Sequence, residues 1–250
     1  MKSLFLGAFT LLLSIPLFAQ TGGQLAPVDT TIKLSAKPSV KELTQLFTET
    51  TQGLHDPFAA VNLVAAKGNK AVPGLRDFLF NPPVLKTTGV TPEGTLDTVD
   101  APPPNRVYAV MALELIGTSA AYQVLSDVAQ SETDGEVRGE ALKTLAMSFY
   151  YKAAEDSLST PDVQVVHLLL RNTEDTTYVH GFAMRIGDIA RKGLKNWTGI
   201  DYGDIPTDSV RTDEEKRLGM TIPQYREQWC QQNSGNLKWS KDTEHFEIKQ

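Results

Sequence analysis

The sequence predicts an all-α protein, an α-solenoid of short helical hairpins with an aromatic-rich cap at its C-terminal end. Three observations predict it. Apolar residues recur at helical spacing from Leu43 to Trp197, and no run shows convincing strand alternation. A pattern of two helices hinged at glycine occurs at Gly68 and again at Gly117, and a third copy begins at Thr133. Aromatic residues then gather near the end of the chain, at Trp197, Tyr202, Tyr225, Trp229 and Trp239.

The elements follow in order. Ser39 and Glu42 form a capping box, in which hydroxyl and carboxylate each satisfy an amide of the first turn, and Leu43, Leu46 and Phe47 mark the buried stripe behind it. In HDPFAAVNLVAAKGNKAVPGLRDFLF, one helix carries Phe58, Val61 and Val64, and the next carries Val72, Leu75, Phe78 and Leu79. Laying Gly68 on Gly117 sets Ala60 on Ala109, Val64 on Leu113 and Ala71 on Ala120, with Thr118 or Ser119 as cap of the second helix. The third copy, capped by Thr133 with Glu136, sets Arg138 on Arg106, Ala141 on Ala109 and Leu145 on Leu113. Thr160 caps a further helix with Pro161 in its first turn, where the missing N–H costs nothing. A long helix is expected from about Thr176 to Trp197, with the stripe Tyr178, Phe182, Ile186, Ile189 and Trp197. Stacked helix pairs with small residues at their crossings are the signature of a solenoid, whose terminal units must cover an apolar face.

The first residues have a different character. Lys2 precedes an uncharged run from Leu4 to Phe18 and the small residue Ala19, the plan of a secretory signal. A run of about 15 residues is too short to span a bilayer comfortably. The expected organisation is therefore a signal over 1–19, a leader over 20–37, the repeat array over 38–199 and the cap and tail over 200–250. A net charge of −6 removes the electrostatic footprint of a nucleic-acid binder. Cys230 is the only cysteine, so stability must come from packing rather than an intrachain disulfide.

Chemistry is sparse. His55, His167, His180 and His245 show neither HExxH nor a Cys/His ligand spacing, and no serine sits in a Gly-x-Ser-x-Gly elbow. Asp201, Asp204 and Asp208 do not match an EF-hand, and with Thr212 and Glu215 they read as solvated or capping groups. The cations Arg185, Arg191, Lys192 and Lys195 can meet an acidic partner, although a helix dipole also favours cations in the last turns. Residues 81–105 form a connection far longer than packed helices need, and its prolines limit the conformations it samples. Val90 and Leu96 are its candidate contact residues.

At this point the residues resemble a known family. RVYAVMALELIG and VRGEALKTLA are similar to short bacterial HEAT repeats, related to those named after phycobilisome lyases. LKNWTGIDYGD resembles the run that closes many exported bacterial HEAT-repeat arrays. TIPQYREQWCQQNSGNLKW resembles the aromatic helix that follows it, through Tyr225, Arg226, Trp229, Leu237 and Trp239. The resemblance covers most of Leu43 to Trp239 and departs from the pattern at Cys230, over 204–220 and between Asn81 and Pro104. HEAT-type di-iron hydroxylases use paired His-Glu dipeptides, which this chain lacks, so no cofactor is expected. The resemblance implies a soluble exported scaffold, periplasmic or extracellular, that binds a protein or peptide and inserts into no membrane after signal removal. The alternative is an enzyme or ligand-binding protein acting on cell-envelope material.

Overall fold

The computed structural model describes residues 33–90, 96–100, 104–154, 162–199 and 236–248, with single positions at Gly219, Gln228 and Gln232. The described chain is mostly helical and carries three two-stranded antiparallel sheets. Helix α1 spans Val40–Thr51, and its capping box forms as the sequence predicts: the Glu42 N–H donates to Ser39 Oγ, and the Ser39 N–H donates to Glu42 Oε2 at 2.8 Å. The Ser39 N–H, with the Ser35 N–H and the Ser39 hydroxyl, pulls the Glu42 pKa down to about 2. Helix α2 spans Pro57–Ala65 behind an Asp56 cap, and α3 spans Val72–Phe80. Gly68 (φ +57°) turns the chain between them through a 3-10 turn over Gly68–Lys70.

Strands β1 (Lys86–Val90) and β2 (Leu96–Asp100) form a hairpin before α4 (Val107–Ile116). Gly117 then ends α4 in the left-handed region, and Thr118 caps α5 (Ser119–Ser131). A Cβ at Gly117 would meet Nζ of Lys152 at 2.0 Å, the mobile end of a long side chain, so it is the positive φ that calls for glycine here. Helix α6 (Gly135–Ala146) is followed by α7 (Ser148–Ala154) and α8 (Gln164–Arg171). A two-residue pairing of β3 (Tyr178–Val179) with β4 (Met184–Arg185) precedes α9 (Ile186–Thr198), and β5 (Leu237–Ser240) pairs with β6 (His245–Ile248).

The helices pack in two rows. Helices α2, α4, α6 and α9 touch in succession along one row, and α1, α3, α5 and α8 along the other. Leu46, Phe47, Val64, Leu75, Leu113 and Leu125 belong to the core they enclose, each at 1% exposure or less. Full burial of such a side chain stabilises by about 1.5–3 kcal/mol, so the core dominates cohesion. The small residues of the repeat pattern set the helix spacing: Ala109 and Ala141 are fully buried, and a Cβ at Gly193 of α9 would lie 2.6 Å from that of Ala146 on α6.

Three arginines tie the elements at carbonyls in or after a helix end. Arg106 Nη1 donates to Leu79 O (3.0 Å), Arg138 Nη1 to Glu132 O (3.0 Å), and Arg191 Nη1 to Thr173 O (2.6 Å). A guanidinium there satisfies acceptors that the helix leaves open and complements its dipole.

Several expectations are corrected. Strands occur where only helix or loop was expected, because short runs such as KTTGV with LDTVD pair with each other over a short separation in the chain. The long helix begins at Ile186 rather than near Thr176, since Tyr178–Arg185 folds as the β3–β4 pairing around a 3-10 turn held by Glu136, which accepts the His180 N–H at 2.6 Å. The cap of α6 is Asp134, not Thr133: its carboxylate accepts the N–H of both Glu136 and Val137. Ala120 is exposed and Ala121 buried, because the 3-10 turn after Gly68 has no counterpart after Gly117 and shifts the register of the second helices. Phe58 is 53% exposed, because α2 opens its row and no described helix precedes it there. The expectations for residues 1–32, Thr160, Pro161, Asp201, Tyr202, Asp204, Asp208, Thr212, Glu215, Tyr225, Trp229 and Cys230 fall outside the described residues.

Candidate functional site

The end of α9 is enclosed by the β5–β6 hairpin. Trp197, in the last turn of α9, is fully buried, and its Nε1–H donates to Leu145 O at 3.1 Å. Its ring meets Tyr150 (5.6 Å between centroids), Trp239 (5.6 Å) and Phe246 (5.9 Å). Trp239 and Phe246 are opposite each other in the β5–β6 register. Trp239 therefore reaches the cluster from a strand, not from the aromatic helix the sequence predicts. His245 joins the same contact: its Nδ1–H donates to Asn196 O at 2.9 Å, and its ring lies where a Cβ on Gly199 (φ +67°) would stand. Ring pairs of this geometry contribute about 0.5–1.5 kcal/mol beyond their area.

The cationic set of α9 divides. Arg191 is 6% exposed, bound to Thr173 O and paired with Asp188, so it holds the fold and is removed from the partner-binding candidates. Arg185, at the N-cap, and Lys192 and Lys195 on the helix are exposed. Lys192 Nζ lies 4.0 Å from Met184 Sδ.

Val90 and Leu96 are partners across the last described pair of the β1–β2 ladder. The segment leading into that hairpin passes along α1. Pro83 and Leu85 form one wall of an open groove of about 580 Å³, and Val40, Thr44 and Thr48, spaced four residues apart along α1, form the other. The exposed surface of its lining is mostly carbon, although Lys41, Gln45, Glu49 and Gln52 of α1 also border it. Thr44 Oγ1 donates to Val40 O, whereas the Oγ1 of Thr48 is buried and has no partner among the described residues. The sequence indicated the long connection but not this groove, because its walls, Thr48 and Pro83 at the nearest, are 35 or more positions apart in the chain and meet only on folding.

A buried carboxylate with a raised pKa is on α6. Burial pushes the Glu140 pKa up, the nearby Lys143 ammonium pulls it back, and the negative charges of Glu114 and Glu136 add to the rise. Glu114 itself receives hydrogen bonds from Ser148 and Thr144, and Lys152 Nζ donates to its backbone oxygen at 2.7 Å. Neither Glu114 nor Glu140 lines the α1 groove. Among the described residues no three His, Cys, Asp or Glu side chains are placed to hold a metal ion, and no helix is long and apolar enough to cross a membrane. No protein family, curated protein or solved structure matches the chain.

Proposed function

We propose that the chain is an exported HEAT-like solenoid that acts as a scaffold, binding a protein or peptide partner without catalysing a reaction on it. The observation that carries this reading is the apolar groove between α1 and Pro83–Leu85 at the foot of the β1–β2 hairpin. The 12 residues of α1 rise roughly 18 Å, which matches five or six residues of extended chain. The occupant is an extended peptide segment of a partner. Its apolar side chains replace water against Val40 and Leu85, and its backbone supplies a hydrogen-bonding partner for the orphan hydroxyl of Thr48. The two helix rows and the repeated arginine ties support the solenoid reading, because each helix pair leaves a face that only its neighbour covers. Export rests on Lys2 and the uncharged run from Leu4 to Phe18.

The test is capture of partners from envelope extract by the chain lacking residues 1–19, compared with Val40→Asp, Leu85→Asp and deletion of Thr87–Asp100. The expected outcome is a partner retained by the parent chain and lost from both Asp variants at unchanged helical content. Equal capture by all four proteins would refute the groove as the binding surface.

A further inference from the structure

A second, polar notch of about 320 Å³ opens where α5 and α8 end. Gln130 and Glu132 come to it from the end of α5, Arg138 from α6, and Arg171, Asn172 and Asp175 from the end of α8 and just beyond. Its carboxylates are already occupied. Glu132 accepts from Arg106 Nη1 at 2.6 Å and Nη2 at 3.2 Å and from the Asp134 N–H at 2.8 Å. Asp175 accepts from Arg138 Nη2 at 2.7 Å and from the Thr177 N–H at 2.8 Å. Burial alone would raise the Asp175 pKa, but the hydrogen bonds of Thr177 and Arg138 outweigh it and hold the carboxyl below its usual range.

The donors are not occupied in the same way. Arg138 Nε–H is buried without a hydrogen-bond partner, although the two other guanidinium nitrogens are used. Arg171 is exposed at the end of α8 and makes no ion pair among the described residues. Glu132 is paired with Arg106, which also meets Asp134 outside the notch, and Asp175 is paired with Arg138, so among the described residues Arg171 is the notch cation without an ion pair. A buried donor with no acceptor, beside an unpaired guanidinium, calls for an anionic acceptor.

We infer that this notch binds a carboxylate on a short aliphatic stem, with Arg171 donating to its oxygens, Gln130 donating from its amide, and Arg138 turning so that its Nε–H, closed to solvent without the ligand, reaches them. The buried side chains of Ala129 and Leu168 form the apolar wall for the stem. A free dicarboxylic acid and the side chain of a glutamate in a peptide carry the same chemistry. The site is separate from the α1 groove, and its assignment does not rest on the scaffold reading.

The chain lacking residues 1–19 is titrated with sodium succinate, with N-acetyl-Ala-Glu-Ala-amide and with its Ala-Gln-Ala counterpart, against matched sodium chloride. Calorimetry gives the affinity, and the arginine Nε–H resonances give the location. The expected result is a saturable shift of the Arg138 Nε–H with succinate, the glutamyl peptide or both, and at least about a tenfold loss of affinity in Arg171→Ala at unchanged thermal midpoint. Binding of succinate alone identifies a free acid as the ligand, and binding of the glutamyl peptide alone identifies a peptide side chain. Arg171→Lys, which keeps the charge but not the fork, retains part of the affinity. No saturable shift, an equal response to the glutamine peptide or to chloride, or unchanged affinity in Arg171→Ala overturns the assignment. Val40→Asp leaves this titration unchanged, so failure of the groove and failure of the notch are read separately.

Discussion

The two ends of the helix rows solve one problem differently. At the α9 end Trp197 is fully buried beneath Tyr150, Trp239 and Phe246, and the β5–β6 hairpin supplies two of those rings. At the α2 end Phe58 is 53% exposed and Leu54 56%, with no described element over them. The difference teaches where the packed helix rows store their cohesion and where they leave apolar side chains exposed. The exposed apolar side chains at the α2 end add little to cohesion, whereas the enclosed aromatic cluster at the α9 end adds much.

The largest effect expected from breaking the comparison is at Trp197. Trp197→Ala removes the centre of the cluster and the bond to Leu145 O, and urea unfolding should show a loss of about 3–5 kcal/mol. A loss below about 1 kcal/mol would mean that the hairpin does not close the array. The middle of the molecule calibrates the two ends. Asp134→Ala deletes a cap with two amide partners and should cost about 1 kcal/mol, while Thr133→Ala should change stability by less than about 0.5 kcal/mol. The reverse order would restore Thr133 as the cap. The smallest effect is at the open end: Phe58→Ser should lower stability by no more than about 0.5 kcal/mol, because this ring is already half in water. A loss near that of Trp197→Ala would erase the contrast between the ends.

Helix periodicity was legible because a buried stripe repeats in the sequence itself. Leu43, Leu46 and Phe47, or Val137, Ala141 and Leu145, are buried where the spacing places them. The Gly68 and Gly117 hinges were legible for a similarly local reason, since a helix that must stop in the left-handed region selects glycine. The strands were harder. Leu237 and Trp239 alternate with Lys238 across β5, and Phe246 with Glu247 across β6, but four-residue runs are too short to outweigh a strong helical context. The choice of Asp134 over Thr133 was hidden because either residue can cap a helix, and only the final backbone shows whose oxygen faces the free amides.

The candidate site was less legible than the fold. Arg185, Lys192 and Lys195 are exposed, but Arg191 in the same helical run is buried against Thr173, a distinction that charge alone does not encode. Neither the groove of Val40 and Thr48 with Pro83 and Leu85 nor the notch of Arg138 with Arg171 has a motif, because each joins separate elements. By itself the sequence determined the helical content, the hinges and the apolar faces, since these depend on interactions within a few residues. Only the tertiary structure decided which end is closed, which arginine is structural and where donors are left without acceptors, because those outcomes depend on which distant surfaces meet.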